Sequence, residues 1–156
     1  MTARAAVHAV SCLLAFVVWA APAEAAVGVM EIAGIDQDGP VTVFYPSSSD
    51  AQALVRGPFT FRMAWQGVPV RGNGRLVVIS HGTGGSPWVH ADLAQTLVAA
   101  SFVVAMPEHR GDNSKNRSAS GPESWQRRPA EVSRAIDVVG RHPAFKSLLV
   151  LDKVGM

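Results

Sequence analysis

The chain has 156 residues, 14 basic against 12 acidic side chains, and a single cysteine. A net charge of +2 is too small to argue for a nucleic-acid partner, and the length suits one domain or part of one. A lone cysteine excludes an internal disulfide and a cysteine-built metal site.

In chain order, residues 1–25 read as a secretory signal. Arg4 supplies a positive start, Val10 to Ala21 an apolar core, and Ala23-Glu24-Ala25 a small-x-small cleavage site. The core is too short for a membrane span, and Cys12 lies inside it rather than at its end, so no stable membrane anchor is expected. The expectation is an exported protein, periplasmic or secreted, with its domain over 26–156. Removing the leader takes the only cysteine with it, and losing Arg4 and Glu24 leaves the charge at +2.

Val27 to Ile35 and Val41 to Tyr45 read as two strands of a meander, joined by the turn Asp36-Gln37-Asp38-Gly39-Pro40. Pro46 to Asp50 is a loop, Phe59 to Trp65 a further strand or an irregular hairpin arm, and Gly67 to Gly74 is turn-rich. Leu76-Val77-Val78-Ile79 is a short β-branched run without alternation, the pattern of a strand buried on both faces of a sheet. His81-Gly82-Thr83-Gly84-Gly85 follows as a turn. Ser86 suits the N-cap of a helix and Pro87 its first turn, and Leu93, Ala94, Leu97 and Val98 give that helix one apolar stripe. Phe102 to Met106 is a second buried strand, stopped by Pro107. The whole is a βαβ unit with an expected right-handed crossover.

From Asn113 to Arg128 the chain is polar and reads as a surface loop. Arg110, Lys115, Arg117, Arg127 and Arg128 concentrate there, either as a solvated loop or as an entrance favouring anionic substrates. Pro129 is expected to start a helix with Val132, Ala135, Ile136 and Val139 on one face and Gly140 at its end. Phe145 to Leu151 is a short apolar segment before Asp152-Lys153-Val154-Gly155-Met156, which reads as the opening of another strand.

A buried strand running into His81-Gly82, a glycine turn, a helix, a strand and Pro107-Glu108-His109-Arg110-Gly111 together resemble the N-terminal half of an α/β-hydrolase, over roughly Val27 to Met156. The nearer likeness is to dienelactone-hydrolase-like and platelet-activating-factor-acetylhydrolase-like esterases. The resemblance implies an α/β fold with a mostly parallel sheet and crossover helices, and a turn after the third core strand that supplies a backbone N–H of the oxyanion hole. One departure is Ser101, where such proteins carry Gly at the helix-to-strand turn; a left-handed residue there is strained with Ser. The larger departure is that no G-x-S-x-G elbow occurs, so the fold reads as truncated before the nucleophile, and no nucleophile, acid or base of a triad is recognisable.

On that resemblance Thr83 is the first candidate for the oxyanion donor and Gly84 the second, with His81, Gly82 and Gly85 supporting the turn. Taken alone, the turn fits an ordinary strand-to-helix connection as well. His109, Arg110, Asp112 and Trp125 are candidates for a pocket loop, although His109 also suits a role in holding its loop, and Trp125 an anchoring one. His81 precedes the turn and is read as structural; His90 and His142 are expected on the surface. Ser80 and Ser86 have no base placed by a recognisable spacing, and N-capping accounts for Ser86. Gly82-x-Gly84 lacks the third glycine of a dinucleotide fingerprint, and the histidines lack metal-ligand spacing, so neither cofactor nor metal is expected. The implied enzyme takes a small ester through an acyl-enzyme. The competing expectation is a non-catalytic truncated remnant or binding fragment that is poorly soluble or self-associates through an open sheet edge.

Overall fold

The computed structural model describes residues 25–156; the expected signal segment lies outside the described residues. A mixed sheet of seven strands runs in the order β3-β4-β1-β2-β6-β5-β7. The strands are β1 (Ala26–Ile32), β2 (Val41–Ser47), β3 (Gln52–Arg56), β4 (Phe59–Trp65), β5 (Leu76–Val78), β6 (Val103–Pro107) and β7 (Val154–Gly155), with helices α1 (Ala91–Ala99) and α2 (Pro122–Arg141). Strands β6, β5 and β7 are mutually parallel, whereas β2 runs antiparallel to both β1 and β6. The expected "mostly parallel" sheet is therefore parallel in its β6-β5-β7 part and where β4 joins β1, and antiparallel elsewhere. The β3–β4 hairpin pairs onto the outer side of β1. Without it, β5 is the third strand of the main sheet, as the hydrolase resemblance requires.

Each face of the sheet carries one helix. Val43, Tyr45, Leu76, Val78 and Ala105 pack with Val132, Ala135, Val139 of α2 and with Phe145. Val29, Phe44, Met63, Val104 and Met106 pack with Ala91, Ala94 and Val98 of α1 on the other side. This explains the sequence pattern of β2, which is buried at all seven positions: alternate residues enter different layers. Tyr45 sets its ring edge-on against Phe145 at 5.1 Å and donates its hydroxyl to the Gly67 carbonyl; burial raises its pKa to about 12.

Ser86 accepts the Trp88 amide hydrogen and Pro87 opens a 3-10 turn that leads into α1. The helix ends at Ser101 with φ +68, left-handed as the sequence position demands, with Ser101 N–H on Val98 O and Phe102 N–H on Leu97 O. Gly72 lies against the Ser101 carbonyl so closely that a side chain at 72 would overlap it.

One strand is unmarked in the sequence and one expectation fails. Gln52–Arg56 is a strand that no pattern signals, because it is short and mostly exposed. Helix α2 starts seven residues before the expected start, with Gly121 at φ 96 preceding it and Pro122 at its first turn; Pro129 sits inside it. The apolar stripe of α2 continues backwards as Glu131, Arg128 and Ser124, so hydrophobic periodicity does not register the first two turns.

Candidate active site

The turn His81–Gly85 leaves the C-terminal end of β5 beside the C-terminal end of its parallel neighbour β6. That is where sites of open α/β sheets form. Backbone hydrogen bonds close it: Gly85 N–H donates to Gly82 O at 3.0 Å, and Ser114 N–H to Gly85 O at 2.7 Å.

His81 is buried and braces the turn. Its Nδ1 is 2.8 Å from the Gly82 carbonyl and its Nε2 is 3.2 Å from the His109 amide nitrogen. A carbonyl only accepts and an amide only donates, so Nδ1 carries the hydrogen, Nε2 is bare, and the ring is neutral. Burial lowers its pKa and Arg128 works in the same direction, against the hydrogen bond to Gly82.

Asp112 forms the second brace. Its fully buried carboxylate accepts from Gly84 N–H at 2.9 Å, from the Ser120 hydroxyl at 2.7 Å, and from Arg128 Nη2 at 2.9 Å. Burial alone would raise its pKa; the donors from Ser120, Ser124, Gly84 and Arg128 outweigh that and hold it well below the usual carboxylate range. Arg128 also donates through Nη1 to the His81 carbonyl at 2.6 Å. The β5 turn, the loop after β6 and α2 are thus tied through one buried ion pair.

This geometry separates the two candidate donors. The Gly84 amide is already committed to Asp112, so it is not open to a ligand. Gly84 nevertheless requires glycine: its φ is +62, and the Arg117 guanidinium sits where a Cβ would lie, with Nε 2.7 Å away. Gly82 and Thr83 are exposed, and neither amide donates a hydrogen bond among the described residues.

The pocket-loop candidates divide as well. Arg110 lines a cavity of about 380 Å³ with Gly111, Asn116, Glu123 and Arg127. His109 and Asp112 are fully buried and hold the loop together; they line no surface. Asn113 adds a tie through its side-chain N–H on the His109 carbonyl at 2.8 Å. Trp125 is on the first turn of α2 and 59% exposed. His90 and His142, expected on the surface, are half-buried. The basic cluster is largely committed internally: Lys115 to Glu108, Arg127 to Glu123 and Arg128 to Asp112.

Sequence reasoning missed the partners of His109. Its Nε2 is 2.7 Å from Ser80 Oγ, and its Nδ1 is 2.5 Å from Glu131 Oε2. With Nδ1 protonated toward the glutamate, Nε2 accepts from the serine, the order of nucleophile, base and acid in a serine hydrolase. The surroundings of the ring work against that role. Burial, then the charge of Arg128, lowers the His109 pKa to about 3. A general base works best with a pKa near the operating pH, and burial moves this one away from it. The array ties the end of β5 to the loop after β6 and to α2, and burial raises the Glu131 pKa within it. The signal that would have found it is the stripe Ser124, Arg128, Glu131, Ala135, Val139, helical in spacing with polar residues on the buried face. Among the described residues, no group of three or more His, Cys, Asp or Glu side chains is placed to hold a metal ion.

No family model and no curated protein matches the chain. Among solved structures it is similar to a ferulic acid esterase from Streptomyces cinnamoneus, with a TM-score of 0.61 and 21% identity over 87% of this chain and 53% of that one. The chain spans about half the length of that esterase, and at this identity the likeness is one of fold: the sheet and its two helices are α/β-hydrolase-like.

Proposed function

We propose that this chain is the N-terminal part of an exported serine-type ester hydrolase of the dienelactone-hydrolase-like kind. It supplies the oxyanion turn and a wall of the pocket, and the nucleophile comes from a segment beyond these 156 residues. The observation that carries the reading is the amide of the exposed residue Thr83, which has no acceptor among the described residues, on a turn whose neighbouring Gly84 amide is locked by a buried carboxylate. A preorganised donor of this kind lowers an acyl-transfer barrier because it does not reorganise as the oxyanion forms. The substrate in this reading is a small ester, met in the periplasm or outside the cell.

The test is to sequence the coding DNA past codon 156, express the uninterrupted product and assay short-chain p-nitrophenyl esters. The expected result is a serine elbow downstream, ester hydrolysis by the product, and a loss of roughly 10²–10³ in kcat on Thr83→Pro, which removes one donor. A stop at that point together with no hydrolysis above background overturns the reading.

A further inference from the structure

A second cleft opens beside the site, lined by the tip of the β3–β4 hairpin, by Ser86 and Trp88 of the 3-10 turn before α1, and by Ser114 and Lys115 of the loop after β6. Its volume is about 590 Å³, within the range of roughly 300–1,000 Å³ of small-molecule sites. Arg56 lines it, and its guanidinium carbon lies 4.3 Å from the Trp65 ring centroid and 5.1 Å from that of Trp88. Both contacts are cation–π contacts, which hold the charge in place. Stacked on indoles, the group can take a further partner only in its plane, through its N–H edge. One of those hydrogens goes to the Val55 carbonyl at 3.1 Å; no carboxylate pairs with Arg56 among the described residues.

We propose that this cleft binds a planar aromatic carboxylate. The N–H edge of Arg56 matches a carboxylate in a fork. Phe59 offers a flat wall to a ring, and Trp88, with Arg56 and Phe61 against its faces at 5.1 and 5.8 Å, fixes the edge of the cleft. Glu31 is the one acid of the lining, and of its two bases Lys115 is paired with Glu108, which leaves the single charge of Arg56, so the cleft favours a monoanion over a dianion such as phosphate. The inference concerns binding by residues of this chain alone and needs no nucleophile, so it stands or falls separately from the hydrolase reading.

The full chain is titrated with benzoate, benzamide, cyclohexanecarboxylate and inorganic phosphate by calorimetry and ligand-observed NMR. Saturable benzoate binding is expected, with each of the other three at least about ten-fold weaker, the equivalent of one fork or one ring wall lost. Arg56→Gln is expected to weaken benzoate by about ten-fold or more, while Arg62→Gln on the neighbouring exposed strand leaves it unchanged. The probe series on the unmodified protein reads the same claim without any variant. Benzoate binding no tighter than benzamide or phosphate, or absent altogether, overturns the proposal, as does an Arg56→Gln protein that melts cooperatively and binds as before.

Discussion

The carboxylate of Asp112 accepts the amide hydrogen of Gly84 at 2.9 Å across 28 positions of sequence, and that one bond fixes which face of the glycine turn is left for chemistry. The same carboxylate is paired with Arg128, whose side chain is 16% exposed. Asp112→Ala strands a largely buried guanidinium, and breaking such a pair costs about 3–5 kcal/mol. Urea unfolding is expected to show a loss of that order. Asp112→Ala combined with Arg128→Met is expected to be less damaging than the sum of the two single changes, because the uncompensated charge is gone. Simple additivity in that cycle would show that the two residues are not coupled.

A second prediction concerns Ser101, which sits at φ +68 with a Cβ that the left-handed region disfavours. Ser101→Gly relieves that strain at the cost of extra freedom in the unfolded chain. The net expectation is a gain of about 0.5–1 kcal/mol in thermal or urea melts. Gly72→Ala points the other way, since its new methyl group overlaps the Ser101 carbonyl and the two segments must part. A destabilised Ser101→Gly protein would mean that the serine hydroxyl contributes more than its backbone costs.

The sequence made the sheet legible where burial is two-sided. The runs Val41–Tyr45, Leu76–Val78 and Val103–Met106 are strands because nothing else buries so many adjacent apolar residues in so short a span. The turn at His81–Gly85 was legible for the same reason, being glycine-rich directly after such a run. The braces of that turn were not. Asp112, Arg128 and Glu131 act through pairings 16 to 47 residues apart, and polar residues on a buried helix face leave no mark in hydrophobic periodicity. Pro129 made this worse. Proline at a first helical position is common, so the helix read as starting there, although Pro122 holds that place and Pro129 is tolerated inside.

Stability should depend on acid in a specific window. His109 and His81 both have folded pKa values lowered by burial, His109 to about 3. A lowered folded pKa means that the unfolded chain takes up protons first as pH falls through the ordinary histidine value near 6.5. The stability they contribute is therefore fully present above about pH 6.5 and lost as pH falls toward the folded value, at up to about 1.4 kcal/mol per pH unit for each histidine. Glu131, whose folded pKa is raised, works in the opposite sense and moderates the slope at its acid end. Melts between pH 7.5 and 5 are expected to show the decline, and His109→Asn to show a shallower one. An identical slope in the variant would remove His109 as a cause.

The last prediction separates the resemblance of Ser80, His109 and Glu131 to a triad from its chemistry. The distances of 2.7 and 2.5 Å are those of a working relay, and the Ser80 residue is exposed. Nucleophilic attack, however, moves the serine proton onto Nε2 and creates an imidazolium. The buried site disfavours that cation, with the charge of Arg128 acting against it in the same sense. A fluorophosphonate probe should consequently leave Ser80 unlabelled in peptide mass spectra of this chain at pH 7. Ser80→Ala should cost about 1 kcal/mol, the worth of an ordinary hydrogen bond whose partner retains its link to Glu131. Stoichiometric labelling at Ser80, abolished in His109→Asn, would show that the glutamate overcomes burial and that this chain carries a nucleophile of its own.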